Sequence, residues 1–164
     1  MKRYPVTCVV MALFLNTVSG SSKPNFSGTW VMDKDRSFSN PAGLEQTMTI
    51  KHSGDAVELE AKLTTPQGER VVSENWMIDG QERQFTPGGA APGSSGKRKA
   101  YWLPGNRGVV VSEETVTDSP KGPVTHQATR KYMLSPDGNT LTVDYYIDGP
   151  RGSGEAKRIF NRKP

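Results

Sequence analysis

Residues 56–78 read AVELEAKLTTPQGERVVSENWMI, a pattern typical of a β-hairpin. Apolar side chains occupy every second position of the first half, at Val57, Leu59, Ala61 and Leu63. The turn Pro66-Gln67-Gly68 follows, in which proline presets φ and glycine accepts positive φ, so that the chain can reverse. The second half returns with β-branched residues and Trp76. The stretch therefore predicts two antiparallel strands, each with one buried face.

The same alternation and the same kind of turn recur along the rest of the chain. They predict strands at about 26–32, 44–52, 56–64, 69–78, 81–85, 97–103, 108–118, 124–134, 140–148 and 155–162. Short connections make sequential strands pair, and successive turns then lie at alternate ends of the sheet. The two long segments, 33–43 and 86–96, fall at the same end, which we call the mouth. We predict an all-β fold, a single antiparallel up-and-down β-barrel, because closure removes the exposed edges of an open meander.

Composition excludes several other classes of protein. The chain has 164 residues, with 17 Gly and 12 Pro, and both residue types break helix interiors, which argues against a helical bundle. The length suits one domain. One cysteine allows no intramolecular disulfide, and with two histidines it supplies no self-contained set of zinc ligands. We predict no metal and no cofactor.

The first 20 residues have the pattern of a secretory signal peptide. Lys2 and Arg3 precede a mostly apolar run at 6–18, and small residues follow at Ser19 and Gly20. The apolar run is shorter than the roughly 20 residues of a membrane-spanning helix. We therefore predict a signal peptide at 1–20, a barrel domain at 21–164, a secreted or periplasmic location and no stable membrane insertion after cleavage. An uncleaved anchor and a buried N-terminal strand remain the alternatives.

The charge and the motifs argue against nucleic acid as a partner and against catalysis. Residues 21–164 keep 19 basic and 17 acidic side chains, a formal charge of only +2. Nucleic-acid-binding domains are usually much more basic. The sequence has no G-x-S-x-G motif, and its one cysteine, Cys8, lies in the predicted signal peptide. We predict a monomer that is not an enzyme.

The segment Asn25-Phe26-Ser27-Gly28-Thr29-Trp30 resembles the opening of lipocalins and fatty-acid-binding proteins, which share a Gly-x-Trp motif on the first strand. The resemblance implies that Gly28 and Trp30 help to close one end of the barrel. It also implies that a basic side chain of the last strand, Arg158 or Arg162, packs across the tryptophan as a cation–π pair.

The chain is also similar to small secreted bacterial lipocalin-like proteins. The matching segments are Asp33-Lys34-Asp35-Arg36-Ser37, the TPQGE turn at 65–69 and SPDGNTLTV at 135–143. In fatty-acid carriers an Arg-x-Tyr pair on the last strand holds the bound carboxylate. The corresponding Arg158-x-Phe160 lacks the hydroxyl. The segment 33–43 is also too short for the two lid helices of those carriers.

Strand periodicity predicts which side chains line the interior. Arg130 and Tyr132 share a face of their strand, where they can bind a carboxylate or another anion. The alternatives are that Arg130 pairs with Glu74 or Glu113 in a structural network, or that a one-residue slip turns it to solvent.

Four further side chains are candidates for the ligand-binding lining: Trp76, Trp102, Tyr145 and His126. Tryptophans more often fill a core, and a lone histidine on a strand is more often structural. The predicted function is an exported barrel that binds a small apolar or amphipathic molecule, with an anionic group as an option. The alternative is a filled barrel that interacts with a protein or with the cell envelope.

Overall fold

The computed structural model describes residues 22–87, 93–120 and 122–164. The predicted signal peptide lies outside the described residues. The strands are β1 (Gly28–Phe38), β2 (Glu45–Ser53), β3 (Ala56–Thr65), β4 (Gly68–Met77), β5 (Glu82–Phe85), β6 (Ser95–Trp102), β7 (Val109–Thr117), β8 (Val124–Leu134), β9 (Thr140–Gly149) and β10 (Gly152–Arg162). A single 3-10 turn, Pro104–Asn106, is the one helical element among the described residues.

The ten strands form one antiparallel sheet, which confirms the predicted all-β meander. Their order across the sheet is β4-β3-β2-β1-β10-β9-β8-β7-β6-β5. Pairing of β1 with β10 curls the sheet into a barrel, and β4 and β5 are its two end strands. We call the gap between β4 and the β5–β6 pair the seam. The connection that crosses the seam is anchored by two backbone bonds, from Ile78 N to Asp55 O at 2.7 Å and from Gly80 N to Ala100 O at 2.8 Å.

The first strand is longer than its sequence pattern indicates, since it continues to Phe38 rather than ending near residue 32. Its pairing with β2 covers Gly28–Val31, whereas its pairing with β10 extends to Phe38 across an irregularity after Asp33. Side chains support this irregular part: Ser37 Oγ accepts a hydrogen bond from Ile159 N at 3.0 Å. The run DKDRSF has no apolar alternation, so sequence alone gives it the appearance of a loop.

A tryptophan and an arginine occupy the end of the barrel opposite the mouth. Trp30 is fully buried, and its Nε1 donates to Phe26 O at 3.0 Å. The guanidinium carbon of Arg162 lies 4.3 Å from the centre of the Trp30 ring, while Arg162 Nη1 donates to Ser27 O. Gly28 has a φ of +142°, and a Cβ at this position would meet Arg162 Nη1. The resemblance gave Arg158 and Arg162 as the two candidates for packing across Trp30. Arg162 makes this contact, and Arg158 lies elsewhere.

Candidate ligand-binding site

The inner face of the barrel has a packed half and a more open half. Apolar side chains fill the half near Trp30, including Met48, Ile50, Val57, Leu59, Val109, Val111, Leu141, Val143 and Phe160. Toward the mouth, β8, β9 and β10 carry small residues at inner positions. Ala128 and Gly154 flank Ile147, and Ala156 is paired with Tyr145. Ile147 is 51% exposed, so an apolar side chain on the inner face is accessible at this end.

Arg158 lies at the boundary between the two halves, on the inner face of β10. Its register partner is Val143, which is fully buried in the core. The guanidinium carbon lies 4.3 Å from the centre of the Tyr145 ring, and Nη1 donates to the Tyr145 hydroxyl at 3.4 Å. Nη1 also donates to Gln46 Oε1 at 2.7 Å, and Nε donates to Asn40 Oδ1 at 2.8 Å.

The local course of β1 makes this arrangement possible. Because β1 separates from β2 beyond Val31, the upper part of β2 and the 39–44 connection face Arg158 directly. Gln46 is 5% exposed, although it interrupts an apolar alternation that Met48 continues. A buried amide normally requires a partner, and Arg158 supplies one.

The acceptors of Arg158 in the described part of the chain are all neutral. They are an amide oxygen from Gln46, an amide oxygen from Asn40 and the hydroxyl and ring of Tyr145. These bonds use Nε and Nη1, and Nη2 makes no hydrogen bond to the described residues. A guanidinium has five N–H donors in a planar fork that suits a carboxylate. The site therefore has the chemistry to hold an anionic head group.

Arg130 has different surroundings. It pairs with Glu74 and Glu113, which is one of the alternatives that the sequence left open for this residue. Its Nη2 lies 2.5 Å from Glu113 Oε1 and 2.8 Å from Glu74 Oε2, and its Nη1 donates to Glu74 Oε1 at 3.0 Å. Arg98 Nε donates to the same Glu113 oxygen at 2.5 Å. We call Glu74, Arg98, Glu113 and Arg130 the seam network, because it joins β4 to β6, β7 and β8. Its side chains are only 10–16% exposed.

The seam network is charge-balanced. Burial raises the pKa of Glu74, but the charge of Arg130 and the hydrogen bond from it outweigh this effect, so the pKa lies below its ordinary value. Burial also raises the pKa of Tyr132 well above its usual range, since the phenol is fully enclosed. Two carboxylates already face Arg130, and a role for Arg130 and Tyr132 in binding an anion stays a prediction.

The other predicted lining residues are dispersed. Trp76 packs against Tyr132 with ring centres 5.7 Å apart, in the core beside the seam network. Trp102 lies 6.3 Å from Phe26 and donates to Asp55 Oδ1 at 3.3 Å, at the end opposite the mouth. His126 is exposed at the mouth end of β8. Of the predicted set, Tyr145 is the residue that the structure places beside Arg158.

Sequence reasoning missed the cluster of Arg158, Tyr145, Gln46 and Asn40. Arg158 was one of two candidates for the contact with Trp30, and the hydroxyl next to it belongs to Tyr145 on the neighbouring strand. One signal was available, since Gln46 is the polar residue at an inner position of an otherwise apolar strand face.

Among the described residues no group of three or more His, Cys, Asp or Glu side chains is placed to hold a metal ion. The same residues contain no helix with the length and hydrophobicity required to span a bilayer.

No protein-family model matches the sequence, and no curated protein matches it significantly. Among solved structures, the fold is similar to zebrafish ileal bile acid-binding protein complexed with cholic acid, with a TM-score of 0.51 and 14% identity over 84% of this chain and 98% of that chain. It is also similar to secretory abundant heat soluble protein 4 from Ramazzottius varieornatus, with a TM-score of 0.49 and 12% identity over 85% and 96% of the two chains. The first likeness confirms a fold of the lipocalin and fatty-acid-binding-protein type.

Proposed function

We propose that this chain is an exported barrel protein that binds a small amphipathic acid in the mouth half of its inner face, with the acid group at Arg158. The observation that carries the proposal is an inward-facing guanidinium whose acceptors among the described residues are all neutral. An incoming carboxylate would accept from the unused Nη2 and from the Tyr145 hydroxyl. Charge-assisted bonds of this kind are about twice as strong as bonds between neutral groups.

The apolar part of the ligand has a matching surface. Ile147 is half exposed, and Ala128, Gly154 and Ala156 leave space around it. Covering apolar surface contributes about 25 cal/mol per Å². The bile acid-binding protein of similar fold was crystallised with cholic acid, itself an amphipathic acid, and this supports the proposed ligand class.

Isothermal titration with decanoate tests the proposal, with decyltrimethylammonium as the ligand of opposite charge. We expect decanoate to bind the wild type and Arg158→Gln to weaken that binding by about 10-fold or more, as expected for the loss of a charged hydrogen-bond donor. The matched control is Arg151→Gln, an exposed arginine in the turn between β9 and β10. An equal affinity of the wild type and Arg158→Gln for decanoate would contradict the proposal.

A filled barrel that contacts a protein or the cell envelope makes the opposite prediction, namely no binding of either amphiphile. Export is supported by the basic start, the apolar run and the small residues of 1–20. We expect the protein recovered from outside the cytoplasm to begin near Ser21. Intact-mass measurement checks this, and a full-length mass in that fraction would count against export.

A further inference from the structure

Residues 22–27, which we call the strap, precede β1 and lie at the end of the barrel opposite the mouth. Phe26 anchors the strap, since the residue is 2% exposed and its carbonyl accepts from Trp30 Nε1. The Phe26 ring stacks on the ring of His52, with centres 5.6 Å apart, and on Trp102, with centres 6.3 Å apart. The strap therefore covers this end of the barrel with one buried aromatic side chain.

His52 binds the strap through both its ring and its backbone. Nδ1 of the imidazole accepts a hydrogen bond from Phe26 N at 3.3 Å, while Nε2 lies 3.0 Å from Gly54 O. Because a carbonyl oxygen only accepts, Nε2 carries the proton, and Nδ1 is the acceptor of a neutral imidazole. The Ser27 hydroxyl accepts from His52 N at 2.9 Å and donates to His52 O at 3.1 Å. The ring contact thus requires one tautomer of a neutral histidine.

Protonation of His52 would place two donors against each other. The second proton would bind at Nδ1, which faces the Phe26 N–H. The hydrogen bond would then be lost, and the amide of a nearly fully buried residue would have no acceptor. A buried donor without a partner is destabilising. Release of the strap would give this amide water as a partner.

Two opposite charges face the imidazole in the described part of the chain. They are Lys23 of the strap, which disfavours the charged ring, and Asp55 of the β2–β3 turn, which favours it. The two groups also bond each other, with Lys23 Nζ 3.0 Å from Asp55 Oδ1. Trp102, which packs on the ring, and Val57, the register partner on β3, carry no charge. Burial is the largest effect, and it lowers the pKa of His52 below its ordinary value of 6.5.

We propose that the strap is a pH-sensitive element, bound while His52 is neutral and released when His52 is protonated in mildly acidic solution. The sign follows from linkage: a histidine with a lowered pKa in the bound state contributes fully above its ordinary pKa of 6.5, and this contribution is lost as pH falls below that value. Release would uncover the Phe26 ring and one face of Trp102. The proposal is independent of the proposed function, because the described contacts of Arg158 include no residue of the strap.

Hydrogen exchange of backbone amides, followed by NMR of the ¹⁵N-labelled protein, tests the proposal. Samples at about pH 7.5 and about pH 5 lie on either side of the ordinary histidine pKa. We expect the protection factor of the Phe26 amide, which is corrected for the intrinsic effect of pH, to fall by about fivefold or more at the lower pH. The Gly80 amide, which donates to Ala100 O at 2.8 Å, should keep its protection. Unchanged protection of Phe26, or an equal loss at Gly80, would overturn the proposal.

Two variants identify the titrating group. His52→Gln keeps an acceptor for the Phe26 amide on a side chain that does not titrate, so its Phe26 protection should be equal at the two pH values. His126→Gln is the matched control, since it removes the other histidine of the chain, and it should respond as the wild type does. A wild-type response in His52→Gln, or no response in His126→Gln, would contradict the assignment to His52.

The ring ¹⁵N signals of wild-type His52 give a further test that does not depend on any variant. At about pH 7.5 they should show the neutral tautomer with its proton on Nε2, since Nδ1 is the acceptor for Phe26 N. The tautomer with its proton on Nδ1, or a charged ring at this pH, would overturn the proposal.

Discussion

Removal of Arg130 is the sharpest test of how the seam is held. Arg130 is 9% exposed and faces Glu113 at 2.5 Å and Glu74 at 2.8 Å. In Arg130→Met, two buried carboxylates remain, with Arg98 as their shared cation. Breaking a buried ion pair by removing one partner costs about 3–5 kcal/mol. Because Arg98 still neutralises one carboxylate, we expect the lower half of that range.

Urea unfolding at pH 7, followed by tryptophan fluorescence, measures the free energy of unfolding. The matched control is Lys51→Met, since Lys51 lies 3.7 Å from Glu58 and both side chains are more than two-thirds exposed. Such exposed pairs contribute about 0–1 kcal/mol. The double variant Arg130→Met with Glu74→Gln should recover part of the loss. If Arg130→Met cost no more than Lys51→Met, the seam network would not be what holds β4 to β8.

Two further predictions concern stability. Gly28→Ala should destabilise the fold by about 1–3 kcal/mol, because alanine is strained at positive φ and its Cβ displaces Arg162 from Trp30. Urea unfolding measures this change. Unchanged stability would contradict the role of Trp30 and Arg162 in closing the barrel. Glu74→Gln should change how stability depends on pH. The folded pKa of Glu74 lies below the ordinary value of 4.5, so its contribution is complete above pH 4.5 and is lost as pH falls through the folded pKa. The stability difference between the wild type and Glu74→Gln should therefore be constant near neutral pH and shrink in acid, and a difference that grew in acid would contradict the network.

The alternation of apolar residues predicted the ten strands, because each strand has one buried and one exposed face. The short connections predicted which strands pair, except that β4 and β5, although consecutive, are not paired. The alternation failed at Asp33–Ser37, where side-chain bonds rather than apolar burial keep β1 beside β10. The seam was not predicted from the sequence. A barrel whose end strands are joined by backbone hydrogen bonds and one whose end strands are joined by side chains show the same alternation of apolar residues.

The candidate site was harder to predict than the fold. Periodicity placed Arg130 on the inner face but left open whether a ligand, Glu74 or Glu113 faces it, because Glu74 comes from a strand far away in sequence. The resemblance left Arg158 and Arg162 as alternatives for the contact with Trp30. The true neighbours of Arg158 come from β2, β9 and the 39–44 connection, and that convergence depends on where β1 leaves β2.

Intermolecular NOEs between decanoate and methyl groups of the protein test the central claim most directly. Ile147 is an accessible apolar side chain on the inner face near the mouth, and Val31, 42% exposed, is its counterpart on the outer face. We predict NOEs from the decanoate chain to the methyl groups of Ile147 and Ala156, with none to Val31. NOEs to Val31 alone, or none to either face at saturating decanoate, would contradict an amphiphile site inside the mouth of the barrel.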